Sequence, residues 1–270
     1  MIPFTKAHAC GNDFLIVSED EAQSAGDLGL LVRRLCARTT GIGADGVEFF
    51  SWTGAASGHI HLRNADGSAA EISGNGTRCV AAWMAHMLDS QPGDSLDIET
   101  DAGLRSCRIE ARHGQIFDVT AGMGVPKFVP HTLKLIDGIE IIGVEISVGN
   151  PHFVILVGSA DFSVSKRSWT SLGEEICVHR DFPAQTNVEF VRIVNDREIE
   201  FRVFERGVGP TSSSGTGAAA SATAALALRR CISPLNVVAP GGPQTVAWSG
   251  PGTELYLTGQ AALIARGEAW

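Results

Sequence analysis

Residues 64–88 read NADGSAAEISGNGTRCVAAWMAHML, and residues 205–230 read ERGVGPTSSSGTGAAASATAALALRR. In each, a Ser-Gly-x-Gly turn opens a run of good helix formers that contains neither Gly nor Pro. The first run predicts a helix over Thr77 to Leu88, starting just after Gly76. The second predicts one over Ala218 to Arg230, with Arg229 and Arg230 in its last turn, where cations suit the helix dipole. Ser73 and Ser214 stand at the two helix entrances. Both helices are nearly apolar all round, as expected of a helix wrapped by a sheet rather than lying on a surface.

Working outward, the resemblance between the two stretches extends to an internal repeat. Ser73-Gly74-Asn75-Gly76 returns as Ser214-Gly215-Thr216-Gly217 at an offset of 141, and Val47-Glu48-Phe49 returns as Val188-Glu189-Phe190 at the same offset. Gly11-Asn12-Asp13-Phe14 returns as Gly149-Asn150-Pro151-His152-Phe153, at an offset of 138 from Asn12 to Asn150. Alternating segments, HIHLR before Asn64 and EIEFRVF before Glu205, read as strands that feed a polar loop. Each half is therefore expected to run strand, polar loop, helix, giving an α/β (α+β) protein of two similar domains. The Gly- and Pro-rich segment GMGVPKFVP marks the break, with one domain over 1–122 plus a C-terminal strand at about 257–270, and the other over 123–256.

Composition bounds the function. The chain has 270 residues, 44% of them hydrophobic, enough for two cores. A formal charge of −9, with no basic run interleaved with aromatics, argues against nucleic acid as a partner. No segment approaches the roughly 18 uninterrupted apolar residues of a membrane span, and the opening MIPFTKAHACGND lacks a signal-peptide core, so a cytoplasmic protein is expected. Six cysteines lie scattered without CxxC pairing, which suits buried thiols better than a zinc site or a disulfide scaffold. No metal is expected, and none of Lys6, Lys127, Lys134 and Lys166 accompanies the phosphate loop of a pyridoxal-phosphate enzyme.

A pseudo-twofold repeat is expected to set equivalent loops face to face across a domain interface, a common place for a ligand. The amides of Gly74-Asn75 and Gly215-Thr216, at helix N-termini, are suited to an anion such as a carboxylate. Asn12, Asn64, Asn75, Asn150 and Asn187 carry paired donors and acceptors for ammonium and carboxylate groups. Glu205 and Arg206 add an adjacent anion and cation suited to a zwitterion, and His152 is a candidate proton relay. Taken singly, each also reads as ordinary structure: serine as N-cap, asparagine as turn residue, Glu205-Arg206 as an exposed ion pair. Their duplication favours a small amino acid as ligand.

At these residues the chain resembles the diaminopimelate epimerase family. FTKAHACGNDF, GIGADG, NADGSAAEISGNGTRC, SVGNPHFV, QTNVEFV and FERGVGPTSSSGTGAAA follow the family's order through most of the chain. The resemblance implies two α/β domains, each a curved sheet around a central helix, with the active site in the cleft between them. It implies cofactor-independent epimerisation of LL- and meso-diaminopimelate on the route to lysine and peptidoglycan, in a homodimer. By position it makes Asn12, Asn64, Gly74, Asn75, Asn150, Asn187, Arg206, Gly215 and Thr216 substrate-binding, with His152 and Glu205 assisting catalysis. The family's two acid–base cysteines fall at Ser73 and Ser214, and Pro210 stands where the family commonly has glutamate.

A thiol titrates near 8.5 and lower at a helix N-terminus, whereas an unassisted alcohol ionises far less readily. A serine pair therefore calls for helpers, for which the sequence offers His152, Glu205, Glu71 and Asp66. Cys79, nearly two turns along the helix, does not replace the missing thiol, and Cys10 beside Gly11-Asn12 is a weaker substitute. Several readings stay open: hydroxyls with helpers, a cysteine-to-serine variant that traps a complex, a same-fold racemase, isomerase or lyase acting on another amino or hydroxy acid, and a non-catalytic amino-acid-binding relative.

Overall fold

The computed structural model describes residues 1–23 and 26–270. The chain forms two compact units, Met1–Gly122 with Thr258–Trp270, and Met123–Leu257.

The first unit runs β1 (Ile2–Ala9), β2 (Asn12–Ser18), α1 (Glu19–Gln23), α2 (Leu28–Cys36), β3 (Gly46–Trp52), β4 (Ser57–Asn64), β5 (Ala69–Ala70), α3 (Gly74–Met87), β6 (Ser95–Thr100), β7 (Gly103–His113) and β8 (Ile116–Gly122). The second runs β9 (Lys127–Lys134), β10 (Glu140–Ser147), β11 (Pro151–Val157), α4 (Trp169–Cys177), β12 (Asn187–Asn195), β13 (Glu198–Glu205), β14 (Gly209–Thr211), α5 (Gly215–Ala227), β15 (Leu235–Ala239) and β16 (Gly242–Trp248). A last strand, β17 (Leu255–Ala269), returns most of its length to the first unit.

Pairing in the first unit passes from β17 through β1, β2, β3, β4, β6 and β7 to β8, which pairs with β17 again. The sheet thus closes on itself, removing its edges. The second unit repeats the sequence of pairings from β9 through β10, β11, β12, β13 and β15 to β16, including parallel pairs at the same two steps. The strands before the loops, β4 and β13, share one alternating burial pattern, which is the period-2 signature read in HIHLR and EIEFRVF.

Inside the first sheet lies α3, touching β1, β2, β6, β7 and β8; inside the second lies α5, touching strands from β10 to β16. Every residue from Gly74 to Ala82 and from Gly215 to Ala225 is buried, so the lack of a polar face on either helix is a consequence of enclosure on all sides. Helix α2 packs outside, where Leu31, Val32 and Leu35 meet Val17, Val47 and Phe49. In the second unit α4 does the same, with Leu172 and Ile176 against Ile155, Val188 and Phe190.

Three helix boundaries differ from the sequence expectation. Both central helices start three residues earlier, at Gly74 and Gly215, because Ser73 and Ser214 are extended N-caps whose Oγ atoms accept from the Gly76 and Gly217 amides. The Ser-Gly-x-Gly segments are therefore first helical turns rather than loops ahead of them. At the other end α5 stops at Ala227, and Arg229 has φ 54°, so the Arg229-Arg230 pair lies beyond the helix. Among the described residues no disulfide forms; Cys36, Cys79, Cys107, Cys177 and Cys231 are buried and Cys10 is half-buried. No helix among the described residues is long and apolar enough to cross a membrane.

Candidate active site

Each unit gathers its candidate residues around the first turn of its central helix. In the first, Cys10 and Gly11 both take positive φ, 52° and 77°, making the two-residue hairpin turn between β1 and β2 that sets Asn12 at the head of β2. The Asn12 amide donates to Asp45 Oδ2 at 2.8 Å and its Oδ1 accepts from Asn75 Nδ2 at 3.2 Å. Asn75 is fully buried on α3, and its Oδ1 accepts from Arg78 Nη2 at 2.6 Å. Ser73 Oγ accepts from the Gly76 amide at 3.0 Å, leaving its own proton to donate.

Beneath these loops lies a charged cluster. Arg38 reaches Asp13 at 2.8 Å and Asp45 at 2.7 Å, and Lys6 reaches Asp13 at 3.0 Å. Burial acts to raise the Asp13 carboxyl, but hydrogen bonds and charge from Arg38 and Lys6 outweigh it and hold the group below the usual carboxylate range. The network fixes the β2 and β3 loop ends against each other. Asn64, at the end of β4, donates to Ser68 Oγ at 3.1 Å.

In the second unit Ser214 Oγ accepts from the Gly217 amide at 3.2 Å, and Asn150 Nδ2 donates to Thr216 Oγ1 at 3.2 Å. His152 is buried between two oxygens, Asn150 Oδ1 at 2.9 Å from Nε2 and Glu189 Oε1 at 2.7 Å from Nδ1. Asn187 donates to the Pro151 carbonyl at 2.9 Å and accepts from the Arg206 backbone N–H at 2.9 Å, tying the starts of β11 and β12 to the end of β13. The Arg206 guanidinium donates to the Ala184 carbonyl at 3.3 Å.

Glu205 ends β13, where it accepts from Thr211 Oγ1 and lies within the electrostatic reach of the Ser214 hydroxyl. The residue is half-buried as a whole, but its carboxyl is enclosed. That burial, reinforced by Glu189 and opposed by Thr211, His152 and Ser214, pushes it up to about 7. A buried carboxyl pushed toward neutrality marks Glu205 as a candidate functional group.

A family model for diaminopimelate epimerase matches residues 4–129 and 144–264. The chain belongs to the diaminopimelate epimerase family. A diaminopimelate epimerase of Moorella thermoacetica is 34% identical over 98% of both chains, and one of Desulforudis audaxviator is 35% identical over the same shares. Among solved structures, a hydroxyproline epimerase from Agrobacterium vitis with bound trans-4-hydroxy-L-proline matches with a TM-score of 0.71, at 18% identity over 98% of this chain and 90% of that one. A probable proline racemase from Agrobacterium radiobacter matches with 0.73, at 17% identity over 100% and 93%. Family and neighbours are isomerases, and the fold is that of diaminopimelate epimerase.

Within that fold the two halves correspond position by position. Strand register pairs Phe14 with Gly46 in the first unit and His152 with Asn187 in the second, and Asn64 with Gly46 as Glu205 aligns with Asn187. Asn64 is thus the counterpart of Glu205, and Phe14 that of His152. Of the helper candidates, Asp66 is exposed and spends its Oδ1 on the Ser68 amide, and Glu71 is exposed. Cys79 is fully buried and burial pushes its thiol far up, which excludes it as a base. Two functional candidates escaped the motif reading. Arg78 is fully buried and orients Asn75, and its only sequence signal was its place in the helix after Gly-Asn-Gly. Glu48 is fully buried, and its only signal was the repeat with Glu189.

Elsewhere, Glu19, His59 and His61 bring ligand-type atoms within 4.8 Å of one another, a half-buried His-x-His pair on β4 that contains none of the site residues. A cavity of about 600 Å³ in the second unit, lined by Leu135, Ile136, Val178, His179 and Arg180 among others, also contains none of them.

Proposed function

We propose that the chain is a cofactor-independent amino-acid epimerase of the diaminopimelate type that works with a pair of serines. One hydroxyl removes the substrate's α-proton and the other delivers a proton to the opposite face of the α-carbon. The observation that carries this reading is the duplicated first helical turn, in which a capping hydroxyl keeps a donatable proton beside a residue, Asn75 or Thr216, that hydrogen-bonds the turn asparagine of its unit. The helix N-termini favour the substrate's carboxylates. Glu205 supports Ser214, which a lone alcohol would need. We further propose a cytoplasmic homodimer, with Asn12, Asn64, Asn150, Asn187 and Arg206 binding the substrate's ammonium and carboxylate groups.

The test is α-proton exchange from LL- and meso-diaminopimelate in deuterium oxide, followed by NMR beside a Ser73→Cys/Ser214→Cys variant. Exchange by the unmodified chain supports the serine epimerase. Exchange by the double-cysteine variant alone means an amino-acid-binding relative that kept its pocket and lost proton transfer, a reading favoured by the N-cap role of both hydroxyls. Silence from both assigns the scaffold to another amino or hydroxy acid.

A further inference from the structure

The two serines are not served alike. Ser214 has Glu205 within electrostatic reach and, beyond it, the pair of His152 and Glu189. In the first unit Asn64 stands in the place of Glu205 and Phe14 in the place of His152, so neither of those titratable groups attends Ser73. What the repeat retains there is Glu48, the counterpart of Glu189.

Glu48 lies in the middle of β3, 0% exposed, opposite Ile16 of β2 and Leu62 of β4, and neither carboxyl oxygen has a hydrogen-bond partner. A buried carboxyl in that condition is costly and calls for a reason. Its position supplies one. The point where a Cβ on Gly76 would sit is 1.9 Å from Glu48 Oε1 and 3.2 Å from Ser73 Cβ, so carboxyl and serine crowd the same spot under the first turn of α3. The second unit has the same arrangement, with 3.0 Å from the Gly217 point to both Glu189 Oε1 and Ser214 Cβ, except that His152 occupies Glu189. Among the groups around Glu48, burial first and Asp101 second push its carboxyl up to about 8; Cys79 of α3 also lies within its field. The group therefore exchanges its proton close to neutral pH, where a relay is useful.

We propose that Glu48 is the positioning residue that holds the proton of Ser73, an inference that rests on the serine epimerase reading for its role in turnover. As the α C–H bond breaks, its electron pair stays on the α-carbon and its proton forms the new O–H bond on Ser73. With substrate bound, the Ser73 hydroxyl turns from its cap toward Glu48, and its original proton passes to Glu48 in the ionised form. On the opposite face Ser214 gives its proton to the α-carbon and is resupplied by protonated Glu205. The reverse reaction runs the same transfers backwards, so no proton is created or lost.

Coupling between the two groups is tested without turnover by infrared spectroscopy of the carboxyl C=O stretch as a function of pH. The Glu48 band is assigned by its loss in Glu48→Gln, and Ser73→Ala is expected to shift both its frequency and its midpoint. A band and midpoint unmoved by Ser73→Ala would overturn the proposal. In exchange assays Glu48→Gln is expected to lower kcat about 10–100-fold with KM little changed, and to remove the limb of the pH profile that belongs to Glu48. The same substitution made in Ser73→Cys should cost at least about tenfold less, because a thiol ionises without a helper. Equal losses in both backgrounds would reduce Glu48 to a packing residue. Should diaminopimelate remain inert while the infrared shift is present, the epimerase reading fails and the Glu48–Ser73 coupling stands.

Discussion

Replacing Gly76 by alanine tests the contact under the first turn of α3 directly. Gly76 lies in the first turn of α3 with ordinary helical backbone, so alanine is acceptable to the chain itself and removes up to about 1 kcal/mol of glycine's helix penalty. The added Cβ, however, would lie 1.9 Å from Glu48 Oε1, and a side-chain carbon needs about 1 Å more than that. Glu48 is fully buried on the α3 side of β3, the face opposite Val47 and Phe49, so its carboxyl must shift within an enclosed interior to admit the methyl group. Overpacking of this kind costs about 1–3 kcal/mol, so with the helix gain subtracted the variant should be destabilised by up to roughly 2 kcal/mol net. Gly217→Ala is the internal control. Its Cβ would lie 3.0 Å from Glu189 Oε1, tight but near the tolerated limit, and the helix preference offsets most of the strain, leaving about 1 kcal/mol or less. Urea unfolding of both variants, followed by circular dichroism, gives the comparison. Repeating Gly76→Ala in a Glu48→Ala background isolates the contact, since the penalty should largely vanish once the carboxyl is gone. Equal midpoints for the two alanine variants, or an undiminished penalty without the Glu48 carboxyl, would refute the reasoning.

Other outcomes follow from the same groups. Glu48 has a folded value of about 8 against an ordinary 4.5, so the native state binds the extra proton between those values; stability should fall as pH rises from about 5 to about 8, and Glu48→Gln should flatten that fall in denaturant titrations. Asp13 has the opposite sign, being held low: its contribution is present above the ordinary carboxylate value and lost as pH falls through the folded one. Asp13→Asn should cost about 2–4 kcal/mol near neutral pH, measured by urea midpoint, because Arg38 and Lys6 lose their shared anion. Glu205→Gln should lower the exchange rate about 100-fold and remove an ionisation near pH 7 from the kcat profile; an unchanged profile would dismiss Glu205 as the partner of Ser214.

Much of this protein was legible in one dimension. The repeat, the strands HIHLR and EIEFRVF, and the two apolar helices depend on local periodicity and spacing, and the structure displays them as β4, β13, α3 and α5. The polar residues set in turns, such as Asn12 after Cys10-Gly11, were visible because turn chemistry is itself local. The helix starts were misplaced by three residues because glycine's weak propensity hid a first turn that a serine cap makes favourable. Glu48 was beyond sequence reading for a stronger reason. In VEFF it reads as a charged residue on a strand, and only closure of the sheet around α3 turns it inward, strips it of partners and sets it under Gly76. The sequence alone thus determined where the elements and their polar ends lie, since those are matters of neighbours along the chain. Which carboxyls are buried, and what each one meets, was decided by tertiary structure, because burial and proton affinity are set by atoms that are neighbours only in space.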